Sequence, residues 1–328
     1  MECAKQLVFD LPSQDESEYH YPLVFKVTTF TCGGFTIGMG LLHTVGDGVG
    51  ASQILKAIME LARGESEPSV KPVWERERLK GSITKQPLVI DSVDEASAAV
   101  SPFLPSEILV QECIKVNSDS IRRLKMSLRK ESGEKENFTT FESLAAYVWR
   151  SKSRALKLNY DGKVKLTMVV GVRKHLQDPL PEGYYGNTVV DIVVVLTVRE
   201  LNERPLYEIA KLIKESKKVA CNSDYVRNYI NTLETGVTNS NIGGSGANTA
   251  LTDWRYLGFL EKLDFGVKEL VNILPVPSGM FESVDLCIFS SLCNLDSSME
   301  GGVSIYQSLP AAALLKFKEE MEALSLLI

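Results

Sequence analysis

An apolar run that ends in a histidine and leads straight into a glycine-containing turn constrains this 328-residue chain more than any other feature. Residues 35–43 are mostly apolar and predict a strand that is buried on both faces. A turn at residues 46–50 follows, and residues 51–62 carry apolar side chains at helical spacing. The turn therefore joins a strand to a helix, and the strand delivers His43 to that turn. A strand end beside open backbone is a common place for chemistry.

His43 has two interpretations. An imidazole titrates near neutral pH and is therefore suited to act as a general base. Asp47 follows four residues later, but aspartate is common and this spacing carries little weight by itself. The alternative is a buried histidine bonded to a carbonyl, with Asp47 capping the helix that begins at Gly48. On the spacing alone, the second interpretation is favoured.

Composition narrows the class of protein. Hydrophobic residues make up 44% and charged residues 24%, which is typical of a soluble globular protein. The net charge of −6 disfavours a nucleic-acid partner, whose phosphates would be repelled. The six cysteines show neither a C-x-x-C pair nor zinc-finger spacing, so we expect buried free thiols and no metal. No secretory signal is visible, and the apolar run at residues 189–198 is too short to span a bilayer. We therefore expect a cytoplasmic protein without a membrane partner.

Strands and helices alternate without a strict βαβ order, which predicts an α/β fold with mixed sheets. Strands are expected at residues 23–30, 35–43, 109–116, 164–172 and 189–198, and near Cys287 and Val303. Helices are expected at residues 51–62, 118–131, 205–219 and 311–324, with another capped by Thr139 or Thr140. Residues 68–107 contain prolines and no long periodic run, and we interpret them as a crossover linker.

Several short motifs, in order along the chain, resemble those of the BAHD family of plant acyl-CoA-dependent acyltransferases. Residues 43–48 are similar to the family's H-x-x-x-D-G signature, and residues 183–187 to its Y-F/Y-G-N motif. Residues 30–35, 71–77 and 138–150 also resemble family segments, and the first two favour the branch of alcohol and taxane acyltransferases.

A further family motif, D-F-G-W-G, is matched only at its start. The matching residues are Asp264, Phe265 and Gly266. Val267 and Lys268 stand where the family has W-G. In the family this motif lies away from the reacting atoms, so the departure bears on stability or packing more than on chemistry.

The resemblance implies two chloramphenicol-acetyltransferase-like α/β domains, the first of them incomplete. The family histidine lies near the middle of a longer chain, whereas His43 lies close to Met1. We therefore expect residues 1–67 to be the remainder of an N-terminal domain that carries the H-x-x-x-D motif. Residues 68–107 would be the crossover linker, and residues 108–328 a C-terminal domain on the coenzyme A side.

The resemblance also implies a reaction. His43 would take the proton from an acceptor hydroxyl, or from an amine, which then attacks the thioester of acyl-CoA. We expect an O-acyltransferase that moves an acetyl, benzoyl or similar group to a hydroxyl of a plant specialised metabolite. Acyl-CoA is a co-substrate in such a reaction, and no tightly bound cofactor and no metal are needed.

Supporting roles follow from the same resemblance. Asp47 would point away from the cleft and pair with Arg173, and this pair together with Gly48 would hold the loop that aims His43. Thr252 and Trp254 resemble a T-x-W pair whose hydroxyl and indole N–H can face the developing oxyanion. Trp254 is equally well interpreted as a core residue.

A second hypothesis belongs to a different class of protein. The early His43 and the altered Val267 and Lys268 would suit a shortened, inactive relative that binds coenzyme A or a partner without turnover. The identity of the acyl donor, the choice between hydroxyl and amine acceptors, and the oligomeric state are left open by the sequence.

Overall fold

The computed structural model describes residues 4, 6–9, 21–81, 93–105, 108–234, 244–259, 272–276, 283–291 and 299–327. The chain forms two compact units, and neither is continuous in sequence. Unit 1 comprises Met1–Arg76, Leu180–Thr188 and Tyr256–Glu282. Unit 2 comprises Glu77–Pro179, Val189–Arg255 and Ser283–Ile328. The domain boundaries expected from the sequence, at residues 67 and 107, stay a prediction.

Unit 1 is built on the predicted strand–turn–helix. Strands β1 (Leu23–Thr29) and β2 (Phe35–Leu41) form an antiparallel hairpin, as expected. Helix α1 (Gly48–Ala62) follows, and it ends at Arg63 and Gly64 as the sequence predicts. His43 therefore lies two residues beyond the strand, because a turn closed by the Val45 N–H on the Leu42 carbonyl ends the ladder.

The prediction that β2 is buried on both faces is wrong for the described residues. Phe35 is exposed and the rest of β2 is only half-buried. The physical reason is that the sheet of unit 1 has two strands in the described part of the chain, and neither face of so small a sheet is fully covered.

Unit 2 contains a six-stranded mixed sheet, which confirms the predicted α/β class. Its strands are β3 (Leu109–Val116), β4 (Lys163–Gly171), β5 (Val189–Thr197), β6 (Asn248–Asp253), β7 (Leu286–Ser290) and β8 (Val303–Pro310). Their order across the sheet is β3-β8-β7-β6-β4-β5. The pairs β4–β6 and β6–β7 are parallel, and the other neighbours are antiparallel.

The helices of unit 2 are α2 (Ser118–Glu131), α3 (Thr140–Ala155), α4 (Val198–Glu203), α5 (Leu206–Val219), α6 (Ser223–Glu234) and α7 (Ala311–Ala323). Thr139 caps α3 in a capping box with Glu142, which confirms one of the two predicted caps. Helix α6 was not predicted. Its buried face includes the polar residues Asn231 and Thr232, which interrupt the apolar periodicity that marks a helix.

The four described cysteines are free, but they are not all buried. Cys287 is buried and Cys113 is half-buried, whereas Cys32 and Cys221 are exposed, so the expectation of buried thiols is wrong for two of them. None of the helices in the described residues combines the length and the apolar character that crossing a membrane requires.

Helix α3 carries a lysine into the core of unit 2. Lys152 is almost completely buried, and its Nζ donates hydrogen bonds to the Asn248 carbonyl at 2.9 Å and to Thr249 Oγ1 at 3.1 Å. Burial lowers the pKa of Lys152 from 10.5 to about 8. Burial also raises the pKa of the nearby Cys287 thiol, to about 12. Burial therefore disfavours the charged form of each group in the folded protein relative to the unfolded chain.

We predict that Lys152→Met removes a rise of stability with pH. Between pH 8 and 10.5 the unfolded chain holds a proton on Lys152 that the folded chain has released, so this residue makes the free energy of unfolding increase as the pH rises. The increase amounts to at most about 3 kcal/mol. Urea unfolding at several pH values measures the increase: the free energy of unfolding of the unchanged protein, minus that of Lys152→Met, should rise as the pH rises from 8 to 10.5. Cys287 has the opposite pH dependence but is present in both proteins and cancels. A difference that stays constant with pH would contradict the prediction.

Candidate active site

His43 stands on the exposed turn between β2 and α1. Its backbone carbonyl accepts a hydrogen bond from Asn187 Nδ2 at 2.6 Å. The turn itself is closed by the Val45 N–H, which donates to the Leu42 carbonyl at 2.8 Å. The backbone on both sides of the imidazole is therefore fixed by hydrogen bonds, while the side chain is exposed to solvent.

Asp47 is buried and uses both carboxylate oxygens to bind backbone amides. Oδ1 accepts from the Gly50 N–H at 3.0 Å, which makes Asp47 the N-cap of α1. Oδ2 accepts from the Thr188 N–H at 3.0 Å. A carboxylate at a helix N-terminus is also favoured by the helix dipole. Asp47 thus joins the start of α1 to the loop at residues 183–188, which we call the support loop.

Three glycines let these segments approach closely. A Cβ atom on Gly46 would lie 2.6 Å from the Tyr185 carbonyl oxygen, and one on Gly50 would lie 2.1 Å from the same atom. A Cβ on Gly48 would lie 2.4 Å from the side chain of Leu257. No side chain fits at any of these positions without displacing its neighbours. Gly46 and Gly50 are therefore required by backbone contact with the support loop, whereas a side chain at Gly48 would displace the flexible end of Leu257.

The support loop is held from two further sides. The Gly183 carbonyl accepts from Gln53 Nε2 of α1 at 2.7 Å and from the Val73 N–H at 2.9 Å. Gly183 has a φ of +90°, a conformation that favours glycine. Thr188 Oγ1 donates to the Gly186 carbonyl at 3.1 Å and closes the loop on itself. The loop is thus a fixed support on which the His43 turn rests.

Arg173 lies in a short 3-10 helix, Arg173–His175, which belongs to unit 2. Its pairing with Asp47 stays a prediction. Oδ1 of Asp47 caps α1 at the Gly50 amide, as the capping interpretation of Asp47 predicts, whereas the bond from the Thr188 amide was not assigned from the sequence. The sequence signal that could have found Thr188 is its place directly after the Y-Y-G-N segment.

Thr252 is the last residue but one of β6, and Trp254 directly follows the strand, in unit 2. They are two residues apart, so along an extended chain they project to the same side. Asp253, between them, forms a bidentate ion pair with Arg255, with Arg255 Nε to Oδ1 at 2.8 Å and Nη2 to Oδ2 at 2.6 Å. This pair is largely buried and holds the strand end in place.

The remaining predicted motif cannot be placed. Asp264, Phe265 and Gly266 lie outside the described residues. Among the described residues, no group of three or more histidine, cysteine or acidic side chains is arranged to hold a metal ion.

Comparisons with known proteins establish the family. The model of the Transferase family matches residues 1–324. A spermidine coumaroyl-CoA acyltransferase of Arabidopsis thaliana is 43% identical over 98% of this chain and 70% of its own length. A spermidine sinapoyl-CoA acyltransferase of the same plant is 44% identical over 92% of this chain and 67% of its own length. A 2-alpha-hydroxytaxane 2-O-benzoyltransferase of Taxus cuspidata is 32% identical over 97% of this chain and 70% of its own length.

Solved structures agree on the fold. Vinorine synthase matches 96% of this chain and 69% of its own chain, with a TM-score of 0.71 at 18% identity. The F. graminearum TRI101 protein, solved with coenzyme A and deoxynivalenol, matches with a TM-score of 0.69 at 14% identity, over 91% of this chain and 68% of its own.

The chain therefore belongs to the Transferase family, the BAHD acyltransferases. The predicted family, the predicted fold class and the predicted enzyme class, an acyl-group transferase, are confirmed. The chain spans about 70% of the length of the relatives it matches.

We predict that Gly50→Ala destabilises unit 1. The new methyl group would lie 2.1 Å from the Tyr185 carbonyl oxygen, and the backbone on one side must move, at a cost of about 1–3 kcal/mol. Gly34→Ala is the control, because its Cβ would meet only Cys32 Sγ at an ordinary 3.6 Å and should change stability by less than about 0.5 kcal/mol. Urea unfolding compares them, and equal effects would contradict the packing described above.

Proposed function

We propose that this protein transfers an acyl group from acyl-CoA to a small-molecule acceptor, with His43 as the general base. The observation that carries the proposal is an exposed imidazole on a turn whose backbone is fixed at His43 and at Asp47. A general base must reach the proton it removes, and it works best when its carrier does not move. Family membership supports the same chemistry.

In the proposed reaction, a ring nitrogen of His43 takes the proton from the acceptor as the acceptor attacks the thioester carbonyl. A tetrahedral oxyanion forms, and its collapse breaks the carbon–sulfur bond. The leaving thiolate of coenzyme A takes the proton from the imidazolium, which restores the base. Proton and electron pairs balance without a covalent enzyme intermediate or a metal.

Thr252 and Trp254 are the proposed donors to the oxyanion. A hydroxyl and an indole N–H are both hydrogen-bond donors of the required type. Their shared side at the end of β6, fixed by the Asp253–Arg255 ion pair, supports the assignment. Asp47, Gly48 and Arg173 are proposed as structural support and take no part in proton transfer.

We favour an amine as the acceptor. The sequence motifs favour a hydroxyl, but the relatives at 43% and 44% identity are named as spermidine acyltransferases, whereas the taxane O-benzoyltransferase is 32% identical. The same relatives are named for coumaroyl-CoA and sinapoyl-CoA, so an aromatic acyl donor is the first to test. Location in the cytoplasm stays a prediction.

We predict that His43→Ala lowers kcat/KM for acyl transfer by about 100-fold or more, because the acceptor loses its base. Product formation is measured by mass spectrometry, which avoids thiol reagents that would also react with the exposed Cys32 and Cys221. The melting temperature should stay unchanged, since the His43 side chain is exposed.

The matched control is His175→Ala, which removes another exposed histidine, in unit 2. Its rate should equal that of the unchanged protein. Activity that survives in His43→Ala would overturn the proposed base. If the unchanged protein binds coenzyme A in calorimetry but gives no product with any acceptor, the inactive-relative hypothesis replaces the proposal.

We also predict that spermidine is acylated faster than hydroxyl acceptors when coumaroyl-CoA is the donor, and that this rate rises with pH. A primary aliphatic amine has a pKa of about 10, as for lysine, so its nucleophilic form becomes more abundant as the pH increases from 6 to about 9. A hydroxyl acceptor stays protonated throughout that range and gives a flatter dependence. Higher turnover of an alcohol would establish the O-acyltransferase instead.

A further inference from the structure

Arg76 lies against the candidate active site, and nothing in the proposed reaction uses it. It begins the short 3-10 helix Arg76–Arg78 and is half-buried. Arg76 Nη2 donates a hydrogen bond to the Val45 carbonyl. Val45 lies between His43 and Asp47, so this bond acts on the middle of the turn that carries the imidazole.

Aromatic rings hold the guanidinium in place. Its central carbon lies 3.8 Å from the ring centroid of Trp74, 5.3 Å from that of Tyr185 and 5.7 Å from that of Tyr184. The rings of Trp74 and Tyr185 are themselves in contact, with centroids 5.6 Å apart. A planar cation over aromatic faces is stabilised by electrostatics and by stacking. Lysine can supply the electrostatic part but not the stacking.

The support loop leaves room for this side chain. A Cβ on Gly186 would lie 2.3 Å from Arg76 Nη1 and 2.5 Å from the Tyr184 hydroxyl. The missing side chain at Gly186 therefore lets the guanidinium sit against the loop. Arg76 Nε is buried, and no described residue accepts a hydrogen bond from it. No described carboxylate pairs with Arg76 either, so the Val45 carbonyl and the aromatic rings fix its position.

We propose that Arg76 is a positioning residue that clamps the Val45 carbonyl and so fixes the turn that presents His43. The proposal rests on the proposed function for its catalytic consequence. The clamp consists of Arg76, the Trp74 and Tyr185 rings, and the Val45 carbonyl. It orients the Val45–Gly46 peptide, and it works alongside the bonds from Asn187 and Thr188, which fix the two ends of the same turn.

The first test needs no activity. Hydrogen exchange of the backbone amides at residues 43–47 should be about tenfold or more faster in Arg76→Ala, because the turn loses a charge-assisted hydrogen bond. Arg78→Ala is the matched control, since Arg78 lies in the same 3-10 helix and Nη1 pairs with Asp178 Oδ2 at 3.3 Å. It should leave exchange in the turn unchanged. Unchanged exchange in Arg76→Ala would overturn the clamp, even if the protein proved inactive.

The second test separates positioning from general stability. In Arg76→Ala we expect kcat to fall by about 10- to 100-fold with little change in the KM for acyl-CoA, because a misplaced base slows chemistry without weakening donor binding. Millimolar guanidinium, far below denaturing concentrations, should restore part of kcat, and the same concentration of ammonium should not. An unchanged kcat, or a lost kcat that guanidinium does not restore, would overturn the proposal.

A more conservative variant keeps both tests decisive if Arg76→Ala does not fold. Arg76→Lys is that variant, because it retains the charge and the aliphatic stem. It should show a smaller acceleration of exchange and a smaller loss of kcat than Arg76→Ala, because an ammonium keeps the charge but cannot stack on the Trp74 ring as the planar guanidinium does. An Arg76→Lys protein identical to the unchanged one in both measurements would show that charge alone suffices and would contradict the clamp. A protein without any acyl transfer would reject the proposed function, and the exchange measurement would still decide the inference.

Discussion

The Asp47 carboxylate is the interaction on which the candidate site depends. Its two oxygens bind the amides of Gly50 and Thr188, which lie 138 residues apart in the chain and have no strand ladder to join them. Asp47 is buried, and a buried carboxylate needs hydrogen-bond donors to offset its loss of water, so both amide bonds contribute to the stability of this arrangement. The close approach of Gly46 and Gly50 to the Tyr185 carbonyl follows from this bond, because the helix start is drawn onto the support loop.

Local patterns predicted most of the elements. The hairpin, α1, the strands of unit 2 other than β6, and helices α2, α3, α5 and α7 follow from apolar periodicity, capping residues and turns, which are all local signals. These local signals failed where tertiary contacts determine the structure. Helix α6 buries polar Asn231 and Thr232, and β2 is half-buried because burial depends on what covers a strand and not on its own apolar content.

The candidate site was predicted less completely than the fold, for a related reason. His43 and Asp47 were identified by residue type and by the motif they form, and the capping role of Asp47 follows from its place directly before Gly48. The bond from the Thr188 amide to Asp47 was not predicted, because a backbone amide belongs to almost every residue and its partner leaves no mark in a sequence. Asn187 and Arg76 lie within family-like segments, and each donates a hydrogen bond to a backbone carbonyl, at His43 and Val45 respectively. Because almost every residue has such a carbonyl, residue types alone do not reveal these bonds.

The same distribution of contacts is compatible with the role proposed for His43, because it fixes the turn without occupying the imidazole. The bonds described around the turn reach it through the His43 and Val45 carbonyls and through Asp47, and none of them uses the imidazole. A general base must keep a ring nitrogen free for the acceptor, so a turn fixed through its side chain would lose the chemistry it positions. Fixing the backbone and leaving the ring exposed meets both requirements. It also requires glycine at Gly46 and Gly50, because only a bare backbone can lie so close to the Tyr185 carbonyl.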